Sequence, residues 1–147
     1  MSIKLSANLG FMWAELPLLQ RIEQAAKAGF AAIELHWPYN TDASDVRRAC
    51  QQHDLTLLSV NTPQGDVAAG DAGLAAQLGR QDEFREAFKQ SLDWARVAGA
   101  SMIHVLPGLG DTNRQADSEA LFVENLQWAA DLAREHHMTV LLEALNH

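Results

Sequence analysis

The chain has 147 residues, the size of one ordinary domain with room for a buried core. Its 48% hydrophobic and 20% charged content excludes a disordered or fibrous chain, and no apolar run approaches the roughly 20 residues of a membrane span. Nineteen acidic against 11 basic residues leave a net charge of −8, which repels phosphate backbones and argues against a nucleic-acid partner.

Helical and strand patterns alternate from end to end. Ile3 to Asn8 reads as a strand, and its N-terminal flank has no apolar export segment, so a cytoplasmic location is expected. Leu16, Leu19, Ile22 and Ala26 recur at helical spacing up to a stop at Gly29. Ala31 to His36 is the next strand. Asp42 or Ser44 then caps a helix to about His53, which carries the lone Cys50. One cysteine excludes an intrachain disulfide and a cysteine-based zinc cluster. Leu55 to Asn61 is the third strand. The glycine-rich stretch from Thr62 to Gly79 reads as a long loop with one short helical turn. Phe84, Phe88, Leu92 and Ala95 mark a helix ending at Gly99, Ser101 to Leu106 is the fourth strand, and a Pro-Gly-Leu-Gly turn comes next. Asp117 or Ser118 caps a helix through His136, and Thr139 to Leu145 is the fifth strand. A weak internal repeat aligns Ala28–Glu34 with Ala98–His104, and His53–Ser59 with His137–Glu143.

This order implies a parallel sheet with right-handed crossovers. Along each strand one face is aliphatic, while the other carries a polar or ionisable group near the C-terminal end: Asn8, Glu34, Asn61, His104 and Glu143. A flat doubly wound sheet favours apolar residues on both faces, whereas a barrel tolerates polar groups inside its mouth. The pattern, together with the lack of a glycine-rich phosphate fingerprint after the first strand, favours a (β/α) barrel of the TIM type. Strand order 1-2-3-4-5 is expected, with Glu34, Asn61, His104 and Glu143 on one face.

Glu143 carries the most weight, because a carboxylate after Val140-Leu141-Leu142 in a buried strand is costly unless paired or metal-bound. Glu34 follows Ala31-Ala32-Ile33 in the same way. His104 reads as a ligand, an acid–base group or a satisfied core histidine. His36, beside Trp37-Pro38-Tyr39, reads as part of an aromatic wall for a small polar ligand or as a packed loop start.

Five segments carry a family resemblance along the whole chain: Phe30–Glu34 with Pro38-Tyr39; Asn61–Asp66; Gly70–Ala76 running into Gly79-Arg80 and Glu83–Arg85; His104–Gly108; and Leu142–Asn146. On these residues the chain resembles the hydroxypyruvate isomerases and their 2-oxo-tetronate isomerase relatives, in the xylose-isomerase-like barrel superfamily. It departs from them at Asp71-Ala72, where such enzymes usually carry Glu-Arg.

The resemblance implies a single barrel domain of which residues 1–147 are the N-terminal part, cut after strand five of eight. It implies an isomerase that interconverts aldehyde and ketone forms of a small hydroxy-carbonyl acid through an enediolate, hydroxypyruvate and tartronate semialdehyde being one such pair. Glu143 matches a catalytic carboxylate that is also the first of four ligands of a divalent metal, Mg²⁺ or Mn²⁺, with Glu34, His36, Asn61, Arg80 and His104 as substrate contacts. With one of the four ligands, the chain alone is expected to be inactive. Alternatives are a sugar 3-epimerase of the same superfamily and a non-catalytic half-barrel. The superfamily's DNA-repair branch is disfavoured by the charge. Unpaired edges on strands one and five predict a homo-oligomer.

Overall fold

The computed structural model describes residues 3–144. Each helix that feeds a strand ends on a residue with positive φ: Gly29 at 84°, Asp54 at 54°, Gly99 at 87° and His137 at 58°. The next residue's N–H then reaches back to a helical carbonyl, Phe30 to Ala25 at 3.1 Å, and Leu55 to Cys50, Ala100 to Ala95 and Met138 to Ala133 at 2.9 Å. This satisfies a carbonyl that the helix end leaves without a partner and turns the chain into the strand. The internal repeat has its physical basis in this turn. Gly29 and Gly99 align as expected. The second pair is offset by one, because Asp54 rather than His53 stands opposite His137. Matching on histidine identity misses that offset, since the turn selects the left-handed residue and not the imidazole.

The elements are β1 (Ser6–Asn8), α1 (Leu18–Lys27), β2 (Ala32–Leu35), α2 (Ala43–Gln52), β3 (Thr56–Asn61), α3 (Gln81–Ala98), β4 (Met102–His104), α4 (Gln115–Glu135) and β5 (Thr139–Leu141). The strands form one parallel sheet in the expected order β1-β2-β3-β4-β5. Most strands are shorter than their apolar runs. β5 stops at Leu141; its expected end at Leu145, like Asn146 of the last motif, lies outside the described residues. Among the described residues no helix is long and apolar enough to cross a membrane.

Two compact units make up the chain, and β3, α3 and β4 each pass from one into the other. The first comprises Met1–Val60 and Asp93–Met102. Its β1 and β2 pair with Ala7 opposite Ile33 and Asn8 opposite Glu34, and a register irregularity between Ile33 and Glu34 sets Glu34 against Ser59 of β3. Ala7, Ile22, Ala25, Ile33, Val46 and Val60 are fully buried. Removing each larger aliphatic side chain from water stabilises by roughly 1.5–3 kcal/mol. Asp42 caps α2 as expected, accepting the Ser44 N–H at 2.8 Å. The loop before α1 is tied down by Arg21. Its guanidinium donates to the carbonyls of Leu16 at 2.6 Å, Ala14 at 2.7 Å and Leu9 at 3.0 Å.

The second unit comprises Asn61–Leu92 and Ile103–His147. Phe84 and Phe88 of α3 meet Trp128 of α4 edge-on, with centroids 6.2 and 5.8 Å away. The long loop holds one short 3₁₀ turn, Val67–Ala69, as expected. The cap of α4 is not Asp117 or Ser118. Asp111 instead accepts the Asn113 N–H at 2.8 Å and opens a 3₁₀ turn, Thr112–Arg114, that runs on into α4. Ser118 is buried, and its hydroxyl accepts the Asp111 N–H at 3.0 Å.

Candidate functional site

In the second unit, β3 ends on Asn61 and β4 on His104. Buried Thr62 ties the two strand ends together. Its N–H donates to the His104 carbonyl at 2.9 Å, and its Oγ1 accepts the Leu106 N–H at 3.1 Å. The backbone on both sides of the imidazole is therefore held, and His104 Nδ1 lies 3.2 Å from Asn61 Oδ1. His104 is 8% exposed. Its Nε2 is buried, without a hydrogen-bond partner among the described residues. Burial pushes its pKa below the ordinary histidine value, with the Glu143 carboxylate pulling weakly the other way.

Glu143 stands where the sequence expectation needs correcting. Because β5 stops at Leu141, the carboxylate lies past the strand end and is exposed, so no burial cost demands a partner for it. What remains is a solvated carboxylate whose charge acts on the buried imidazole of His104.

Arg80 is spent on its own loop. Its Nη1 donates to both oxygens of Asp71, at 2.7 and 2.8 Å, and to Gln77 Oε1 at 2.8 Å. Nε and Nη2 donate to the two Glu83 oxygens at 3.1 and 2.7 Å. The guanidinium holds the carboxyls of Asp71 and Glu83 below their usual range. The tied loop leans on the chain after β4, where the Ala76 N–H reaches the Pro107 carbonyl at 2.8 Å. Gly73 and Gly108 pass so closely that a Cβ on either would collide with the other's backbone. Buried Asn125 of α4 completes the support, donating to the Ala75 carbonyl at 2.8 Å. Thr62, Gln77 and Asn125 escape a sequence reading because each works on a backbone carbonyl, a neighbouring side chain or a backbone N–H that only the fold brings near. Asp71 and Arg80 do carry a signal, opposite charges flanking a glycine-rich segment.

In the first unit, Glu34 is half-buried and accepts the Ser6 hydroxyl at 2.5 Å. The His36 ring lies edge-on to Phe11 and Trp37, with centroids 4.7 and 5.1 Å away. It borders a cavity of about 320 Å³ with Leu9, Arg21, Trp37 and Asn40. The aromatic wall expected beside His36 therefore comes partly from Phe11, a loop residue distant in sequence. Asn61, His104 and Glu143 thus belong to one unit with Arg80, and Glu34 and His36 to the other.

Among the described residues no group of three or more histidines, cysteines or acids could hold a metal. These residues therefore do not by themselves fit the divalent metal expected with Glu143. The chemistry the chain's own side chains offer is proton transfer at a carboxylate and hydrogen bonding at an imidazole.

The model of the xylose isomerase-like TIM barrel family matches residues 22–147. The chain is 39% identical, over 97% of its length, to the 2-oxo-tetronate isomerase of Cupriavidus necator. It is 33% identical, over 99% of its length, to the hydroxypyruvate isomerase of Escherichia coli. These matches cover 55% and 57% of the two proteins, so the chain spans about half the length of the curated relatives it matches. A crystal structure from Brucella melitensis, described as an AP endonuclease of family 2, has a TM-score of 0.91 at 39% identity, covering 98% of this chain and 56% of that one.

Proposed function

The chain belongs to the xylose isomerase-like TIM barrel family, and from that premise we propose that it forms part of an isomerase of small hydroxy-carbonyl acids. The observation that carries the reading is the His104 imidazole, buried at the end of β4 with Nε2 unpartnered and under the charge of Glu143. A buried polar atom left open at a strand end suits a ligand that completes it. The names of the relatives supply the class of ligand, hydroxypyruvate or 2-oxo-tetronate.

In the proposed reaction the Glu143 carboxylate takes a proton from the hydroxyl-bearing carbon beside the ketone. The C–H electron pair becomes the double bond of an enediolate. A proton then returns to the former ketone carbon, and the former alcohol carbon becomes the new carbonyl, an aldehyde from hydroxypyruvate and a ketone from 2-oxo-tetronate. Hydrogens change place between two carbons and two oxygens, and no external oxidant or reductant is needed. His104 holds a substrate oxygen. Arg80 and Asp71 keep the 71–80 loop in place, and Asn61 supports His104 within the same unit.

A divalent metal is part of the proposal for the whole protein only, since further ligands would have to come from residues beyond those described. The same holds for turnover: the chain alone binds the acid without converting it. The test joins this chain to the portion of the Escherichia coli relative beyond the match and supplies hydroxypyruvate, 2-oxo-tetronate and a DNA duplex with an abasic site. Conversion of either acid, with the duplex left intact, supports the proposal. A folded chimera that cleaves the duplex and leaves both acids unchanged refutes it, against what the charge of −8 leads us to expect.

A further inference from the structure

Resting on the isomerase reading, the geometry points to a narrower division of labour: Asn61 holds His104 in its Nδ1–H tautomer, so that Nε2 is a pure acceptor that selects a substrate hydroxyl. The two groups lie 3.2 Å apart, Nδ1 against the side-chain oxygen of Asn61. An amide oxygen only accepts, so the ring nitrogen facing it carries the proton. A neutral imidazole has one N–H, and Nε2 is left with its lone pair. In water the opposite tautomer is the favoured one, so the contact with Asn61 does selective work on the ring.

The consequence lies at the other nitrogen. Nε2 is buried and has no hydrogen-bond partner among the described residues. Of the groups a small organic acid presents, only a hydrogen-bond donor can satisfy its free lone pair. A ketone oxygen or a carboxylate brings only lone pairs of its own, whereas an alcohol brings a proton. Of the groups on a small hydroxy-carbonyl acid, the hydroxyl is therefore the one that fits. Thr62 keeps the ring from turning away with its backbone, because it holds the His104 carbonyl at 2.9 Å and the Leu106 N–H at 3.1 Å. Asn61 then acts as a positioning residue and His104 as the specificity-determining contact.

Long-range nitrogen–proton NMR of the histidine rings reads the tautomer directly, with His104 assigned by the signal lost in His104→Gln. The protein is titrated with hydroxypyruvate and with pyruvate, which differ only in the hydroxyl. The expected results are an Nδ1–H ring for His104 and about 10- to 100-fold weaker binding of pyruvate, the loss expected when a buried acceptor goes unpaired. Asn61→Leu should return the ring to the Nε2–H form and erase the preference. Asn61→Asp, which still accepts from Nδ1–H, should keep both and so separates positioning from misfolding. An Nε2–H ring in the unaltered protein overturns the inference, as does equal binding of the two acids. If neither acid binds while the ring is Nδ1–H, the isomerase reading falls and the tautomer assignment to Asn61 stands. If hydroxypyruvate binds to an Nε2–H ring, the isomerase reading stands and the inference falls.

Discussion

Arg21 in the first unit and Arg80 in the second each hold a loop that follows a strand, but on different acceptors. Arg21 donates to three backbone carbonyls. Arg80 donates to two carboxylates and an amide. Carbonyl acceptors do not titrate, so the first loop is held alike at every pH that leaves the fold intact. Carboxylate acceptors bind more strongly but lose their charge in acid. The strand ends differ in the same sense. Glu34 accepts a hydroxyl within its own unit, whereas His104 leaves Nε2 open. The first unit thus spends its strand-end carboxylate on itself, while the unpaired nitrogen of the second is what the proposed ligand site rests on.

The largest expected effect tests the strand ends. In the chimera, Glu143→Gln should lower turnover by about 10²–10⁴-fold, the usual cost of losing a general base. Glu34→Gln, which still accepts the Ser6 hydroxyl, should cost less than about tenfold. Steady-state rates check both, and equal losses would dissolve the distinction between the units.

Next come the two loops. Arg21→Met leaves carbonyls of Leu9, Ala14 and Leu16 without their donor and should destabilise by about 1–3 kcal/mol in denaturant titration. The Arg80 loop should answer to acid. The carboxyls of Asp71 and Glu83 are held below their ordinary values by Arg80. Their contribution is therefore present above the unfolded values of about 3.9 and 4.3, and is lost as pH falls through the folded ones. Hydrogen exchange should show the 71–83 segment opening in that acid range before the 9–17 segment does. Simultaneous opening would mean that the acceptor type makes no difference.

Much of the fold was legible because alternation of apolar residues reports directly which face of a strand or helix is buried, and Ile22, Ile33, Phe84 and Phe88 lie in the core accordingly. The exits at Asp54 and His137 were not, since neither residue advertises a left-handed backbone as glycine does. At the site, His104 was legible as a polar residue at the end of an aliphatic strand. Its orphaned nitrogen was not, because that depends on where Asn61 and the surrounding backbone fall. Glu143 was read as buried on the assumption that β5 runs as far as its apolar residues, and strand length is fixed by pairing partners that composition does not display.

The smallest effect belongs to Cys50. Burial pushes its thiol up to about 11. Its burial thus stabilises below the ordinary thiol range and ceases to as pH rises toward that value. Thiol reagents at pH 8 should label it only as fast as the first unit opens. Rapid labelling in the folded protein would show that unit to be looser than its core implies.

The most direct measurement is proton and deuterium NMR of hydroxypyruvate turned over by the chimera in D₂O. Proton transfer through Glu143 predicts product carrying solvent deuterium on the carbon that was the ketone, with both turnover and deuterium uptake lost in Glu143→Gln. Product that keeps only its original hydrogens, together with turnover that survives in Glu143→Gln, would contradict the proton shuttle assigned to Glu143.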